Sequence, residues 1–193
     1  MNMSALSRVD LVSELLSPTG CPLSAPPWHT SDVVATMGTN STADIMLARR
    51  LEVARELLLR DLQEQMRSGP VMDSPQALSD WLRLYCAHLE YEVFLVLYLD
   101  AHHHLIEAEE LFRGSLTQTA VYPRELVKGA LSRNAAALAV AHNHPSGKAE
   151  ASRADELLTQ TLKSALSLVD VRVIDHFVVA GDRVLSFAEH GLI

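Results

Sequence analysis

The run YEVFLVLYL, residues 91–99, constrains the fold more than any other feature of this sequence. Leucine, β-branched and aromatic residues fill it almost without interruption, which is typical of a strand buried on both faces of a sheet. A second apolar run, AALAVAH, occupies residues 136–142. We therefore expect a sheet at the centre of the domain, with other elements packed against it.

Strand patterns alternate with helical patterns along the rest of the chain. The spacing of apolar residues, with capping residues and Pro75 or Pro123 at a first helical position, predicts helices over 41–67, 75–89, 123–131 and 153–168. Runs of β-branched residues predict strands over 91–99, 105–111, 136–142, 171–180 and 184–188. The alternation predicts the α/β class, with a mixed sheet flanked by helices.

The length of 193 residues suits one domain of ordinary size plus an appendage. Residues 17–40 are rich in Pro, Ser, Thr and Gly, so we assign residues 1–40 to a flexible N-terminal lead-in. Residues 41–70 form a predicted helical segment with a charged outer face. The main domain is expected over residues 71–193.

Charge and composition exclude some classes of protein. The net charge of −8 argues against a surface devoted to nucleic acid, although a local basic patch stays compatible with it. Cys21 and Cys86 lie far apart without a metal-ligand spacing, and we interpret both as free thiols. Neither a signal peptide nor an apolar run long enough to span a membrane is evident, so we expect a cytoplasmic protein.

The end of the second apolar run carries the clearest chemistry. His142 and His144 are two residues apart, so a strand would direct both imidazoles to the same face. Pro145 and Gly147 then turn the chain, and Asp155 near the start of the next helix can return a carboxylate to the same strand end. Two histidines and one aspartate leave a fourth tetrahedral position for water, as in catalytic zinc sites.

A structural interpretation competes with this one. Ser152 and Asp155 form a Ser-x-x-Asp pattern, which caps helices without any metal, and isolated paired histidines are common. The conjunction of strand, His-x-His, turn and helix start favours metal binding.

The segment HNHPSGKAEASRAD, residues 142–155, resembles the HxHPxGxxxxSxxD motif of the JAMM metalloproteases, also known as the MPN or JAB family. More narrowly, residues 91–193 resemble bacterial RadC proteins, which have segments similar to EVFLVLYLDAHHHLI, LFRGSLTQTAVYPREL and DHFVVAGDRVLSFAEHGLI. The resemblance implies a JAB/MPN-type, cytidine-deaminase-like fold for the main domain.

The resemblance also implies a mechanism. It assigns His142, His144 and Asp155 as ligands of Zn²⁺, Glu92 as the base that takes a proton from water, and Ser152 as a hydrogen-bond donor to the developing oxyanion. The implied reaction is hydrolysis of a peptide or isopeptide bond in a protein or peptide substrate. Glu90 lies two residues before Glu92 and is the alternative base.

Other residues receive structural interpretations. His102, His103 and His104 are consecutive, so they cannot all face one ion, and we predict a solvated turn. His176 is interpreted as a packed or hydrogen-bonded histidine that could line the pocket. Asn143 and Ser146 are candidates for hydrogen bonds around the metal.

Two other functions stay open. RadC-like proteins are associated with DNA repair and mobile elements, which would make this chain an accessory protein acting on or near nucleic acid. Residues 37–39 are the one possible remnant of their helix-hairpin-helix module, and its Gly-hydrophobic-Gly turn is absent. The other alternative is a non-catalytic MPN binding module, which the complete ligand set disfavours. A zinc deaminase is excluded because no CxxC follows the histidines. The oligomeric state is not encoded in any motif.

Overall fold

A computed structural model describes residues 3–17, 42–73, 75–87, 89–114 and 121–193. The chain forms two compact units, one ending at Asp61 and the other beginning at Leu62. Within the described ranges, no helix is both long enough and apolar enough to cross a membrane. The predicted lead-in between residues 18 and 40 and the possible hairpin remnant at 37–39 lie outside the described residues.

The first unit contains a helix in the region assigned to the lead-in. After a short 3₁₀ turn (Met3–Ala5), helix α1 spans Arg8–Leu16. Ser7 and Asp10 form a capping box at its start, with the Ser7 side chain accepting from the Asp10 amide. Residues 8–16 are therefore helical, whereas we assigned them to the lead-in from the sequence. This short helix buries one residue, Leu11.

Helix α2 spans Thr42–Ser68, within one residue of the predicted bounds at each end. Within the first unit, Arg49 pairs with Glu14, and Arg8 pairs with Asp61 at 2.5 Å. These ion pairs join α2 to residues in and around α1, while Leu47, Leu51 and Leu58, which were predicted for the apolar face, are exposed. A 3₁₀ turn follows at Val71–Asp73.

The second unit is built on a five-stranded mixed sheet, which confirms the predicted class. Its helices are α3 (Pro75–Cys86), α4 (Pro123–Ser132) and α5 (Arg153–Ser167). Its strands are β1 (Val93–Leu99), β2 (Leu105–Arg113), β3 (Ala137–Asn143), β4 (Arg172–Ala180) and β5 (Arg183–Ser186), in the spatial order β2-β1-β3-β4-β5. Strands β3 and β4 pair in parallel, and the other neighbours are antiparallel.

Helix α3 ends at Cys86, three residues before its predicted end, because the chain turns there into β1. Every residue of β1 and β3 is buried, as the two apolar runs predicted. On one face of the sheet, Phe94, Val96 and Val140 pack with residues of α4 and α5, including Leu126 and Leu162. Helix α5 is the next element after β3 in the chain, and it packs on this face of the sheet. The start of the helix therefore lies close to the end of a central strand.

Candidate metal centre

His142 and His144 stand at the end of β3, where the strand leaves the sheet. His142 is the buried sixth residue of this strand, and His144 follows directly after its last residue. The alternation of side chains along the strand directs both rings to the same face. Their Nε2 atoms are 2.9 Å apart. The structure thus brings the two predicted imidazoles to a common point.

Asp155 approaches the same point from the first turn of α5. Its Oδ1 lies 3.3 Å from His142 Nε2, and its Oδ2 lies 3.8 Å from His144 Nε2. The ligand atoms of the three residues all lie within 4.8 Å of one another. Among the residues that the structure describes, they form the one group of His, Cys, Asp or Glu side chains arranged to hold an ion.

The Ser152–Asp155 capping box is formed as well. The Asp155 amide donates to Ser152 Oγ at 3.2 Å, and the Ser152 amide donates to Asp155 Oδ2 at 2.8 Å. Burial alone would raise the pKa of Asp155, but the hydrogen bond and charge that His142 supplies when it is protonated, together with the two Ser152 contacts, outweigh it and hold the pKa below its usual range. Asp155 is therefore a carboxylate at neutral pH.

The partner of His144 settles which of its ring nitrogens is available. His144 Nδ1 lies 2.9 Å from the carbonyl oxygen of Lys148. A carbonyl can only accept, so Nδ1 must carry the hydrogen, and in the neutral ring Nε2 presents a lone pair. A hydrogen bond from the outer nitrogen to a backbone carbonyl is the usual arrangement of a metal-binding histidine.

These donors suit zinc. The two imidazole nitrogens and the carboxylate are the ligand types of a catalytic site with three protein ligands. Two nitrogens bound to tetrahedral zinc lie about 3.3 Å apart, which a small outward shift of the rings from 2.9 Å would reach. The lone pair of His144 and the charge of Asp155 also repel each other unless a cation lies between them.

His176 and Thr159 extend the site into the core. His142 Nδ1 lies 2.8 Å from His176 Nε2, and His176 Nδ1 lies 2.6 Å from Thr159 Oγ1. Both residues are fully buried. Burial, with a smaller contribution from the charge of His142, lowers the pKa of His176 to about 3. The sequence predicted a hydrogen-bonded histidine here but missed Thr159, whose position depends on how α5 packs on the sheet.

Ser152 and Glu92 are the two residues expected to act on the substrate, and they belong to the start of α5 and to the segment before β1. Ser152 is exposed, and because capping uses a lone pair of its Oγ, the hydroxyl hydrogen stays available to donate. Glu92 directly precedes β1. Two residues further along β1, Phe94 pairs with His142, so Glu92 lies near the end of β3 that carries the histidines.

Asn143 holds the backbone on both sides of Glu92. Its Oδ1 accepts from the Val93 amide at 2.7 Å, and its Nδ2 donates to the Tyr91 carbonyl at 3.0 Å. It was expected to bond near the metal ligands, but its contacts lie at the first residue of β1 and just before that strand. Ser146 is exposed in the turn after His144.

The three consecutive histidines form a turn between β1 and β2, as predicted. Asp100 Oδ1 accepts from the amides of His102 and His104, and His103 has a positive φ of 64°. They lie at the opposite end of β1 from Glu92.

A family model described as a RadC-like JAB domain matches residues 72–192. The chain belongs to this RadC-like JAB family. It is 62% identical over 143 residues to a UPF0758 protein of Leptothrix cholodnii, covering 74% of this chain and 64% of that protein. It is 52% identical over 199 residues to a UPF0758 protein of Aromatoleum aromaticum, covering 100% of this chain and 84% of that protein.

A third relative gives the same picture. A UPF0758 protein of Nitrosomonas europaea is 48% identical over 193 residues, covering 99% of this chain and 84% of that protein. Membership of the RadC-like JAB family confirms the family expected from the motif and the JAB/MPN type of fold. The names of these relatives state no reaction, so the activity has to be argued from the site.

Proposed function

We propose that this protein is a zinc-dependent hydrolase of peptide or isopeptide bonds, with a protein or peptide as substrate. One observation carries the proposal: His142, His144 and Asp155 converge with their ligand atoms within 4.8 Å, at the junction of a rigid strand end and a helix start. Three such ligands leave one position for water or substrate, which distinguishes catalytic from structural zinc sites.

When bound, zinc would supply a nucleophile at neutral pH by lowering the pKa of water from about 15.7 to about 7, and it would polarise a carbonyl. The chain's own residues do the rest. His142 and His144 would hold the zinc through Nε2, and Asp155 would hold it through its carboxylate. Glu92 takes a proton from water on one of its carboxylate oxygens and passes it to the nitrogen of the leaving amine. This transfer completes hydrolysis of an amide bond.

The start of α5 assists the reaction electrostatically. The backbone amides at a helix N-terminus carry a partial positive charge, which favours the negative charge that develops on a carbonyl oxygen. Ser152 stands at this N-terminus and can donate its hydroxyl hydrogen to the same oxygen. Asn143 holds the backbone that carries Glu92 and so fixes the position of the base.

The test uses the zinc-loaded protein and a peptide library prepared from a digested bacterial proteome, in water enriched in ¹⁸O. We expect wild-type protein to generate new peptide ends, each with ¹⁸O in its carboxylate, as seen by mass spectrometry. Glu92→Gln should retain zinc and lose this activity. Glu90→Gln is the matched control, since Glu90 is an exposed carboxylate two residues away, and it should cleave like the wild type.

Two results would contradict the proposal. Cleavage by Glu92→Gln at the wild-type rate would show that Glu92 is not the base. The absence of zinc from the wild-type protein would show that His142, His144 and Asp155 do not form a zinc site. The nucleic-acid alternative is examined with the same preparations and a labelled DNA duplex. The nucleic-acid alternative predicts that the protein binds this DNA and that the binding weakens steeply as the salt concentration is raised. The net charge of −8 does not favour such binding.

A further inference from the structure

We propose that Thr159 and His176 act as positioning residues that fix the tautomer of His142 and so prepare its Nε2 to bind zinc. The inference rests on the proposed function because it concerns the same metal site. It assigns a role to a buried chain of hydrogen bonds, Thr159–His176–His142, that leads from α5 through β4 to β3.

The assignment starts at the hydroxyl of Thr159. Thr159 Oγ1 lies 2.6 Å from the backbone oxygen of Asp155 and 2.6 Å from His176 Nδ1. The carbonyl oxygen has no hydrogen, so the hydroxyl must donate to it. The lone pairs of the same hydroxyl then face His176 Nδ1. His176 Nδ1 therefore carries a hydrogen and donates it to Thr159.

The second step passes through the ring of His176. This imidazole is fully buried, and a buried imidazole in contact with a neutral hydroxyl stays neutral and carries one hydrogen. Since that hydrogen is on Nδ1, its Nε2 is an acceptor. His142 Nδ1, 2.8 Å away, must then donate to it. In neutral His142 this leaves the Nε2 lone pair directed at His144 and Asp155.

Packing holds the relay in place. The ring of His176 stacks against Phe187 with centroids 4.7 Å apart, and its other neighbours include the ring of Phe94 at 6.0 Å. Strand β4 fixes His176 in register with Val140, two residues before His142. The acceptor offered to His142 is thus rigid. A rigid acceptor lowers the cost of orienting the imidazole when a metal binds.

The first experiment reads the tautomer directly in metal-free protein. The ¹⁵N chemical shifts of the His142 ring, recorded by NMR at pH 8, distinguish a nitrogen that carries hydrogen from one that does not. We expect a hydrogen on Nδ1. A bare Nδ1 in the wild-type protein would overturn the proposal.

The second experiment measures zinc affinity by competition with a chromophoric chelator. His176→Phe keeps a flat ring but removes the acceptor, and we expect zinc binding to weaken about 10–100-fold. His176→Gln places an amide oxygen where Nε2 stood, so it should restore most of the affinity. Equal affinities for wild type and His176→Phe, or equal losses in both variants, would refute the relay, since a purely structural role would not distinguish them.

A second pair of variants covers the case in which His176→Phe fails to fold. Thr159→Val keeps the shape and removes the hydroxyl, whereas Thr159→Ser keeps the hydroxyl. We expect weaker zinc binding and less hydrogen on His142 Nδ1 in Thr159→Val than in Thr159→Ser, and identical behaviour of the two would contradict the proposal. If the wild type binds no zinc, the proposed function fails, while the NMR result on metal-free protein still decides the relay.

Discussion

Zinc is expected to stabilise the folded protein through Asp155, and the substitution Asp155→Asn tests this with little disturbance of the fold. The amide has the size of the carboxylate and keeps one oxygen, which can still accept from the Ser152 amide in the capping box. It removes the negative charge that faces His142 Nε2 at 3.3 Å. Alanine at this position would remove the cap and the ligand together and would confuse the two effects.

The magnitude follows from the two roles of the side chain. Without metal, the variant exchanges a charged acceptor for a neutral one in the capping box, but it also removes the repulsion between the carboxylate and the histidine lone pairs. The net cost is therefore at most about 1 kcal/mol, and the melting temperature falls by no more than about 2–4 °C. With free zinc at about 100 times its dissociation constant, binding stabilises the wild type by about 2.7 kcal/mol, or about 5–11 °C. Most of this gain should disappear in Asp155→Asn because a neutral amide is a poor ligand for zinc.

Thermal unfolding followed by circular dichroism, with and without zinc, measures both quantities in protein that carries no histidine tag. Asp10→Asn is the matched control, because Asp10 occupies the same position in the capping box of α1. It should show the full zinc-induced rise. The reasoning is refuted if Asp155→Asn shows the wild-type rise, or if stoichiometric zinc leaves the wild-type melting temperature unchanged.

Three further predictions concern packing and hydrogen bonds within the second unit. A Cβ on Gly129 would lie 2.2 Å from the Tyr98 hydroxyl, so Gly129→Ala should lower the free energy of unfolding by about 1–3 kcal/mol, as measured by urea titration. Adding Tyr98→Phe, which removes that hydroxyl, should recover part of the loss. Asn143→Ala should lower the free energy of unfolding by about 2 kcal/mol and speed hydrogen exchange at the Val93 amide. An unchanged exchange rate would contradict the hydrogen bond from this amide to Asn143. Burial raises the pKa of Asp175 more than its hydrogen bonds lower it, so the folded state holds a proton more tightly than the unfolded state and the free energy of unfolding falls as pH rises from 3.8 to the folded pKa. Asp175→Asn should remove this pH dependence, whose slope is at most about 1.4 kcal/mol per pH unit. An unchanged slope in the variant would contradict the assignment.

The fold was predictable where burial is continuous. Strands β1 and β3 are apolar at almost every position, so no other assignment fits them, and their bounds agree with the prediction to within two residues. Helix α1 was missed although Val9, Val12 and Leu16 recur at helical spacing, because residues 1–40 were assigned as one segment on the composition of residues 17–40. The end of α3 was misplaced because the residues after Cys86 still suit a helix, and the turn into β1 decides where it stops.

The site was predictable to the extent that it is local in sequence. His142, His144 and Asp155 lie within one strand-turn-helix segment, so their convergence follows from strand alternation and a short turn. His176 joins them through the parallel pairing of β3 with β4, and Thr159 joins through the packing of α5. The same limit applies to Glu92, whose distance from the histidines depends on the pairing of β1 with β3. Contacts between distant segments have no signature in a single sequence.

Asp155 shows why a capping box and a metal ligand need not be alternatives. The sequence posed them as competing interpretations of one residue, but a carboxylate has two oxygens with lone pairs to spare. Oδ2 accepts from the Ser152 amide, while Oδ1 faces His142. The cap fixes the rotamer of the Asp155 side chain in the metal-free protein, so binding of an ion would cost less side-chain conformational entropy. Under the proposed function, the capping box would therefore help this chain to present a carboxylate to the zinc.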